Sequence, residues 1–537
     1  MEMGRKEGRS NVSLDVIGED NLRNVLSRLP SSSFASAACV SRSWNRICDT
    51  VLYTPKLSSA FSTNPSLQEA VEEVFNKVFA ELIRPHFAIV TVTSIDLHEA
   101  RQLITNKLGS TIPIIYTAPN GVIGRDAITN EFKEIQWEVG ERDQCPFVNF
   151  FDDDALVPQS RVICLTVGFL PGLKVATVPL LQTETGALED EFMADIRDCV
   201  TSVSGCNSPV GIMLFSDCEN TDDLLQKMDY SMSPETVIVG DRCGEFLCGV
   251  ELINKKSNRK SQPLSVAAVA LLFMREQKKP YGIGEINLHV ALSAGLAPIG
   301  NTYEVTSVEE NIVGDSWTNG LTRLSARREE SRENLDGQII TTHIYHDLWD
   351  QIHYPAFIGV LKRGKCAVRL EKEKQITSLV FYDIWGNDQR CLFVGGDGIE
   401  TGDCFRIFQP DTNMTLSSLR HVYDKFRDLK NPYDVGTSDC LTNRAAIGRE
   451  NKIFGAFIFS SITRGEPIGD AISIVSTPFL ETFPDVTLAG SCCSGEICRG
   501  DSSSYGQVSE QGFARCYVHH HSSVYLVMSY TPSLPSI

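Results

Sequence analysis

Apolar residues first recur at helical spacing between residues 14 and 57. Leu22, Val25, Leu26 and Leu29 fall at i, i+3, i+4 and i+7, which puts four apolar side chains on one helical face. Glu19 and Asp20 supply the negative charge that a helix start favours, Arg28 falls in the last turn, and Pro30 ends the element. Ser31 to Ser33 cap a second predicted helix with Phe34, Ala37, Ala38 and Val40 on its apolar side, and Trp44 and Ile47 continue the pattern. A segment of about 45 residues buries too little area to fold securely alone. Cys39 and Cys48 fit no metal spacing, so this surface has to be covered by a partner chain or by the rest of this one.

Beyond it, residues 53–65 read as a linker containing Pro55, Ser58, Ser59 and Asn64-Pro65. A long amphipathic helix follows, with Leu67, Val71, Val74, Phe75, Val78, Phe79 and Leu82 on one face until Arg84-Pro85 ends it. Residues 87–93 form a β-branched run, 96–108 a helix stopped by Gly109, and 112–117 a second strand. That order predicts a βαβ unit with parallel pairing and a right-handed crossover. Strands are expected at 162–167, 175–180, 210–215, 237–239 and 264–273, and a helix at 188–203. Residues 311–337 are rich in Arg and Glu and read as a mobile charged linker. Strands then follow at 366–370, 378–382, 391–394, 453–460 and 524–529, with a turn at 395–398 and a helix at 416–429. The expected division is a tail at 1–12, the helical module at 13–60, an α/β domain at 66–310, the linker, an α+β domain at 338–500, and C-terminal strands and tail at 501–537. The chain is thus multidomain, with a small all-α module followed by α/β and α+β layer domains.

The run Leu22-x-x-Val25-Leu26-x-x-Leu29-Pro30, then Phe34, then Val40-Ser41-Arg42-x-Trp44, resembles an F-box. The resemblance implies docking on a Skp-type adaptor that bridges to a cullin ubiquitin ligase, with Leu22, Val25, Leu26, Leu29, Pro30, Phe34, Val40 and Trp44 forming the buried core or docking face. Ile17-Gly18 stands where that family usually has Leu-Pro, and Ser41 where Cys is common. The other reading is an ordinary helical hairpin packed on its own domain. Further on, Ser293-x-Gly295-x-x-Pro298-Ile299-Gly300 with Val305-Thr306 resembles the end of a FIST N-terminal domain. Phe457-x-Phe459-Ser460 with Arg464-Gly465, and Leu488-Ala489-Gly490 leading to Gly495-Glu496-Ile497, are similar to signatures of the FIST C-terminal domain. The resemblance implies FIST-type layer domains that sense small ligands such as amino acids, in a branch that carries an F-box. Residues 114–123 and 488–497 also echo one another: an apolar strand, a small or polar turn, then Gly-x-Ile. Two related halves would bring both turns to a shared cleft.

Composition narrows the function. With 537 residues, 42% hydrophobic and 22% charged, the chain has the make-up of a globular protein with several domains. Its net charge of −19 argues against broad binding to nucleic acid or acidic membranes. Lys255, Lys256, Arg259 and Lys260 form one small basic cluster, read as a solvated loop or a nuclear import signal. No apolar secretion signal is visible, and the run 264–274 is too short to span a bilayer. The 17 cysteines are therefore expected as free thiols in a reducing compartment, cytosol or nucleus.

The best small-ligand candidate is the stretch 490–499. There Gly490, Ser491, Ser494 and Gly495 could let backbone N–H groups converge on an anion, Glu496 could hold an amine, and Arg464 could pair with a carboxylate. A tight turn with Glu496 solvated is the bland alternative. Cys492, Cys493, Cys498 and Cys516 with His519, His520 and His521 fit no zinc spacing, and alternating strand positions explain the histidines as well. Cys492 or Cys493 is a candidate reactive thiol. Asp152 to Asp154 lacks a partner constellation, and no dinucleotide fingerprint, P-loop, nucleophile elbow or leucine-rich repeat period is present. No metal and no cofactor is expected. The expected function is a non-catalytic, substrate-recognition subunit of an SCF-type ubiquitin ligase that holds a client protein, or else a small-metabolite sensor whose ligand controls recruitment.

Overall fold

The computed structural model describes residues 18–29, 31–80, 83–93, 96–137, 161–183, 186–217, 221–242, 245–248, 265–279, 282–310, 321–328, 334–335, 356–367, 373–387, 391–431, 451–465, 467–468, 471–472, 475–500 and 515–533. The expected tail at 1–12, Pro30, the acidic run 152–154 and the basic cluster at 255–260 lie outside them.

Three helices open the chain: α1 (Glu19–Ser27), α2 (Ser31–Ala38) and α3 (Arg42–Leu52). A β-rich body follows, in which one plan recurs three times. The first module runs β1 (Lys56–Ser62), α4 (Leu67–Val78), β2 (Phe87–Val92), α5 (Leu97–Leu108), β3 (Ile114–Ala118), β4 (Gly121–Arg125), β5 (Phe132–Gln136) and β6 (Ile163–Phe169). The second runs β7 (Leu173–Thr183), β8 (Gly186–Ala187), α6 (Glu189–Ser204), β9 (Gly211–Ser216), α7 (Thr221–Ser231), β10 (Val237–Arg242), β11 (Glu245–Cys248) and β12 (Ser265–Arg275). The third opens with β13 (Glu285–Ser293) and is then interrupted by β14 (Leu296–Glu309), β15 (Thr322–Arg328), β16 (Asn334–Leu335), β17 (Phe357–Cys366), β18 (Lys374–Asn387), β19 (Leu392–Val394) and β20 (Cys404–Pro410). It resumes with α8 (Thr412–Lys430), β21 (Lys452–Ser461), the short pair β22 (Pro467–Ile468) and β23 (Ala471–Ile472), α9 (Thr477–Thr482), β24 (Leu488–Cys493), β25 (Glu496–Arg499), β26 (Cys516–His519) and β27 (Ser523–Thr531).

Each module builds the same four-stranded core. The orders β1-β6-β2-β3, β7-β12-β9-β10 and β13-β27-β21-β24 each end in a parallel pair, β2 with β3, β9 with β10, and β21 with β24. The next strand of each module leaves for a neighbouring sheet. β4 pairs antiparallel with β24, β11 with β3, and β25 with β10, so the exchange closes a cycle. One face of every sheet points into a shared core, where Phe87 and Ile115, Phe215 and Phe273, and Phe457 and Leu526 meet. The other faces are covered by helices: α4 and α5, α6 and α7, and α8 and α9. The inserted strands β14, β20, β17, β18, β19 and β15 close on themselves through β14–β15 pairing, and Tyr303, Val305, Val360, Ile384 and Phe405 fill the resulting barrel.

Local chemistry explains these elements. Ser66 caps α4 by accepting from the Glu69 N–H at 3.4 Å, and Leu67, Ala70, Val71, Val74 and Val78 form its buried stripe. Asp411 caps α8 by accepting from the Met414 N–H at 2.6 Å. Gly205 ends α6 at φ 67°, in the left-handed region where glycine is unstrained.

Four sequence expectations need correcting. The supposed linker contains β1, because Leu57, Ala60 and Phe61 are buried and its serines are bonded, Ser59 Oγ to Thr166 Oγ1 at 2.7 Å. The charged stretch 311–337 contains β15, where Arg323, Ser325 and Arg327 alternate with the buried Thr322, Leu324 and Ala326. The strand expected at 366–370 ends at Cys366 and begins at Phe357. The boundaries between 66–310, 338–500 and 501–537 do not separate packing units, since β13 pairs with β27, β4 with β24 and β10 with β25.

Candidate functional site

In the helical module the seven described residues among the eight proposed for core or docking separate into distinct environments. Leu22, Leu26 and Phe34 are buried together with Ala37, Ile47 and Cys48, and Leu29 and Trp44 pack half-buried against them. Val25 and Val40 instead face solvent, 56% and 62% exposed, joined by Leu52 and Tyr53 at the end of α3. Among the described residues only Ile128 and Leu416 are other large apolar side chains so exposed. The small module thus carries four exposed large apolar side chains. Both departures from the F-box pattern have local reasons. Ser41 caps α3, its Oγ accepting from the Trp44 N–H at 3.1 Å. Gly18 stands at φ 83° before α1, a conformation closed to proline, and its carbonyl accepts from the Leu22 N–H at 3.1 Å.

The second candidate region lies where the exchanged strands meet. β24 runs through Cys493, so the turn is only Ser494-Gly495, and Gly490 and Ser491 sit in ladders with β21 and β4. Two of the four amides expected to converge on an anion, those of Gly490 and Ser491, are thus placed in the sheet. Arg464 is buried beyond β21, where it donates to Thr415 Oγ1 at 2.7 Å, to Ser293 Oγ and to the Ser293 carbonyl. Glu496 is fully buried; its Oε2 accepts from Ser522 Oγ at 2.6 Å, and burial holds its carboxyl well above the usual range. Opposite it on β10, Asp241 is equally buried and accepts from Ser491 Oγ at 3.1 Å, and burial pushes its carboxyl up to about 7. His519 pairs with Glu496 in the next ladder, and burial pushes its imidazole down to about 3, as it does for His521.

Burial pushes the Cys492 thiol up to about 12, with the charge of Glu134 adding to it, which opposes a nucleophilic thiolate. Among the described residues no group of His, Cys, Asp and Glu is arranged to hold a metal ion. The two echoing turns do meet: Asn120 donates from its N–H to the Cys492 carbonyl and from Nδ2 to Ser494 Oγ, both at 2.8 Å. Sequence reading missed the third copy, β10 to β11. Its signal was present, since Gly244-Glu245-Phe246 stands where Gly121-Val122-Ile123 and Gly495-Glu496-Ile497 stand in the other modules.

Comparison with known proteins agrees with the first of these sites. The F-box domain family matches residues 17–56. The chain is 35% identical over 530 residues to an F-box/LRR-repeat protein of Arabidopsis thaliana, which covers 97% of this chain and 94% of that relative. The leucine-rich repeat in that protein's name has no stacked-repeat counterpart among the described residues, whose sheets are of mixed pairing.

Proposed function

We infer, from the premise that this chain belongs to the same F-box protein family as its Arabidopsis relative, that it is the substrate-recognition subunit of an SCF-type ubiquitin ligase. The F-box docks on a Skp-type adaptor and, through it, on a cullin; the FIST-like body holds the client protein. This chain makes and breaks no bond itself. It supplies proximity between client and transferring enzyme. The observation that carries the reading is the outward-facing Val25 and Val40 on a module whose core of Leu22, Leu26, Phe34 and Ile47 packs on itself.

The test is a pull-down of the full chain with a Skp-type adaptor, comparing the natural sequence with Val25→Asp/Val40→Asp. Capture should fall at least tenfold in the variant, because two buried charges across an interface cost several kcal/mol, while the thermal unfolding of the variant stays unchanged. Leu26→Asp is the contrasting control. It removes a fully buried side chain and should unfold the module itself. A well-folded natural chain that captures no adaptor would sink the assignment.

A further inference from the structure

The three strand exchanges place equivalent residues opposite one another. The residue after the turn glycine of each travelling strand meets a receiving residue: Val122 opposite Ser491, Glu245 opposite Ala118, and Glu496 opposite Asp241. The fold therefore does not require acids at this position. At two joints the pair is free of like charge, and Glu245 is exposed. At the third, two carboxyl groups face each other with both residues fully buried. Each keeps one oxygen bonded to a serine, Asp241 Oδ2 to Ser491 and Glu496 Oε2 to Ser522. The other oxygens, Asp241 Oδ1 and Glu496 Oε1, are buried without a hydrogen-bond partner among the described residues. Two carboxylates so placed repel one another in a medium of low dielectric, and each would leave a charged oxygen unsolvated.

We propose that Asp241 and Glu496 form a proton-holding pair: the folded body retains a proton on the pair at neutral pH, and losing it as pH rises loosens the joint between the second and third modules. The groups around the pair do not remove the conflict. His519 on β26 and His520 and His521 after it are buried and held neutral, since burial lowers all three imidazoles. Cys492 and Cys493 on β24 add no positive charge, and a hydrogen bond from the Cys493 thiol offsets only part of the burial of Asp241. Arg464 attracts Glu496 but is also bonded to Ser293 and Thr415, and Arg242 lies on β10 beside Asp241. The surroundings apart from the partner acid thus hold two guanidinium groups and no charged imidazole. The sign follows from the raised carboxyl groups: the folded state binds a proton that the unfolded chain releases near its ordinary carboxylate value. The stabilisation is complete below that value and is lost as pH rises through the folded value.

The full chain, Asp241→Asn and Asp241→Asn/Glu496→Gln are compared in thermal unfolding between about pH 5.5 and pH 8.5, a range that spans the neutral region where the pair should release its proton. The melting temperature of the natural chain should fall by several degrees relative to the double variant as pH rises, because neither amide can ionise, with Asp241→Asn, which keeps Glu496, lying between them. Parallel profiles would overturn the proposal. Should the double variant fail to fold, infrared spectroscopy of the natural chain and the single variant still decides. A protonated carboxyl band at neutral pH that disappears on alkalinisation and is weakened by Asp241→Asn supports the pair, and absence of that band in the natural chain refutes it.

Discussion

At the scale of single residues, the body contains side chains whose protonation the fold dictates. His519 is fully buried opposite Glu496, with its imidazole held down to about 3 by burial. A lowered histidine contributes stability that is complete above its unfolded value near 6.5, and that is lost as pH falls toward the folded value. Acidifying from pH 7 to 5 should therefore remove on the order of 2 kcal/mol from the natural chain relative to His519→Gln, at 1.36 kcal/mol per unit. The stability gap between the two, read by urea unfolding, narrows by that amount; a constant gap would contradict the assignment. The sequence showed the histidines but not their state. Three consecutive imidazoles invite a metal, and only the ladder with β25 shows them to be interior groups of a strand end. Val25 and Leu26 illustrate the same limit, since helical spacing places both on one face and cannot tell which is covered.

Between elements, the ties that lock β25 into the second module are as telling as the strand pairing. Arg499 on that strand donates from Nε to Asp229 Oδ1 at 2.7 Å, and to the carbonyls of Ser233, Thr236 and Asp229. It is buried, and Asp229 lies in α7. Arg499→Ala removes the charged donor shared by that carboxylate and three carbonyls, leaving Asp229 only the Arg515 N–H at 3.0 Å, and should cost about 3–5 kcal/mol of unfolding free energy in urea; a loss below about 1 kcal/mol would show the cluster to be solvated. Helices α4 and α8 were legible in the sequence because their stripes and caps agree, and the strands of the common core because they are continuous β-branched and aromatic runs. β1 was not, since its serines look like loop residues until Ser58 and Ser59 find partners in α4 and β6. β15 was not, since Arg323 and Arg327 mask the buried Leu324 and Ala326.

Over the whole molecule, the cyclic exchange makes the body one cooperative object although the sequence divides into two likenesses. A fragment ending at residue 310 keeps β13, β10 and β3 but loses β27 and β25, which pair with two of them. It should show no cooperative unfolding transition in circular dichroism, whereas a fragment starting at residue 56 keeps every exchanged strand and should melt as the full body does. A sharp transition in the shorter fragment would show the boundary near 310 to be real. No local pattern could reveal this, because strand partners such as Val122 and Ser491 lie hundreds of positions apart. The joint between F-box and body carries a different consequence. Helix α3 ends at Leu52 and β1 starts at Lys56, with Phe61 already fully buried and the strand paired to β6. Three residues span at most about 10 Å. Under the proposed function, a receptor built this way would leave its cargo little tether on which to be sampled at an average concentration. Which lysines were marked would then follow from where they sat on the client, and a client bound the other way round would be held and yet spared.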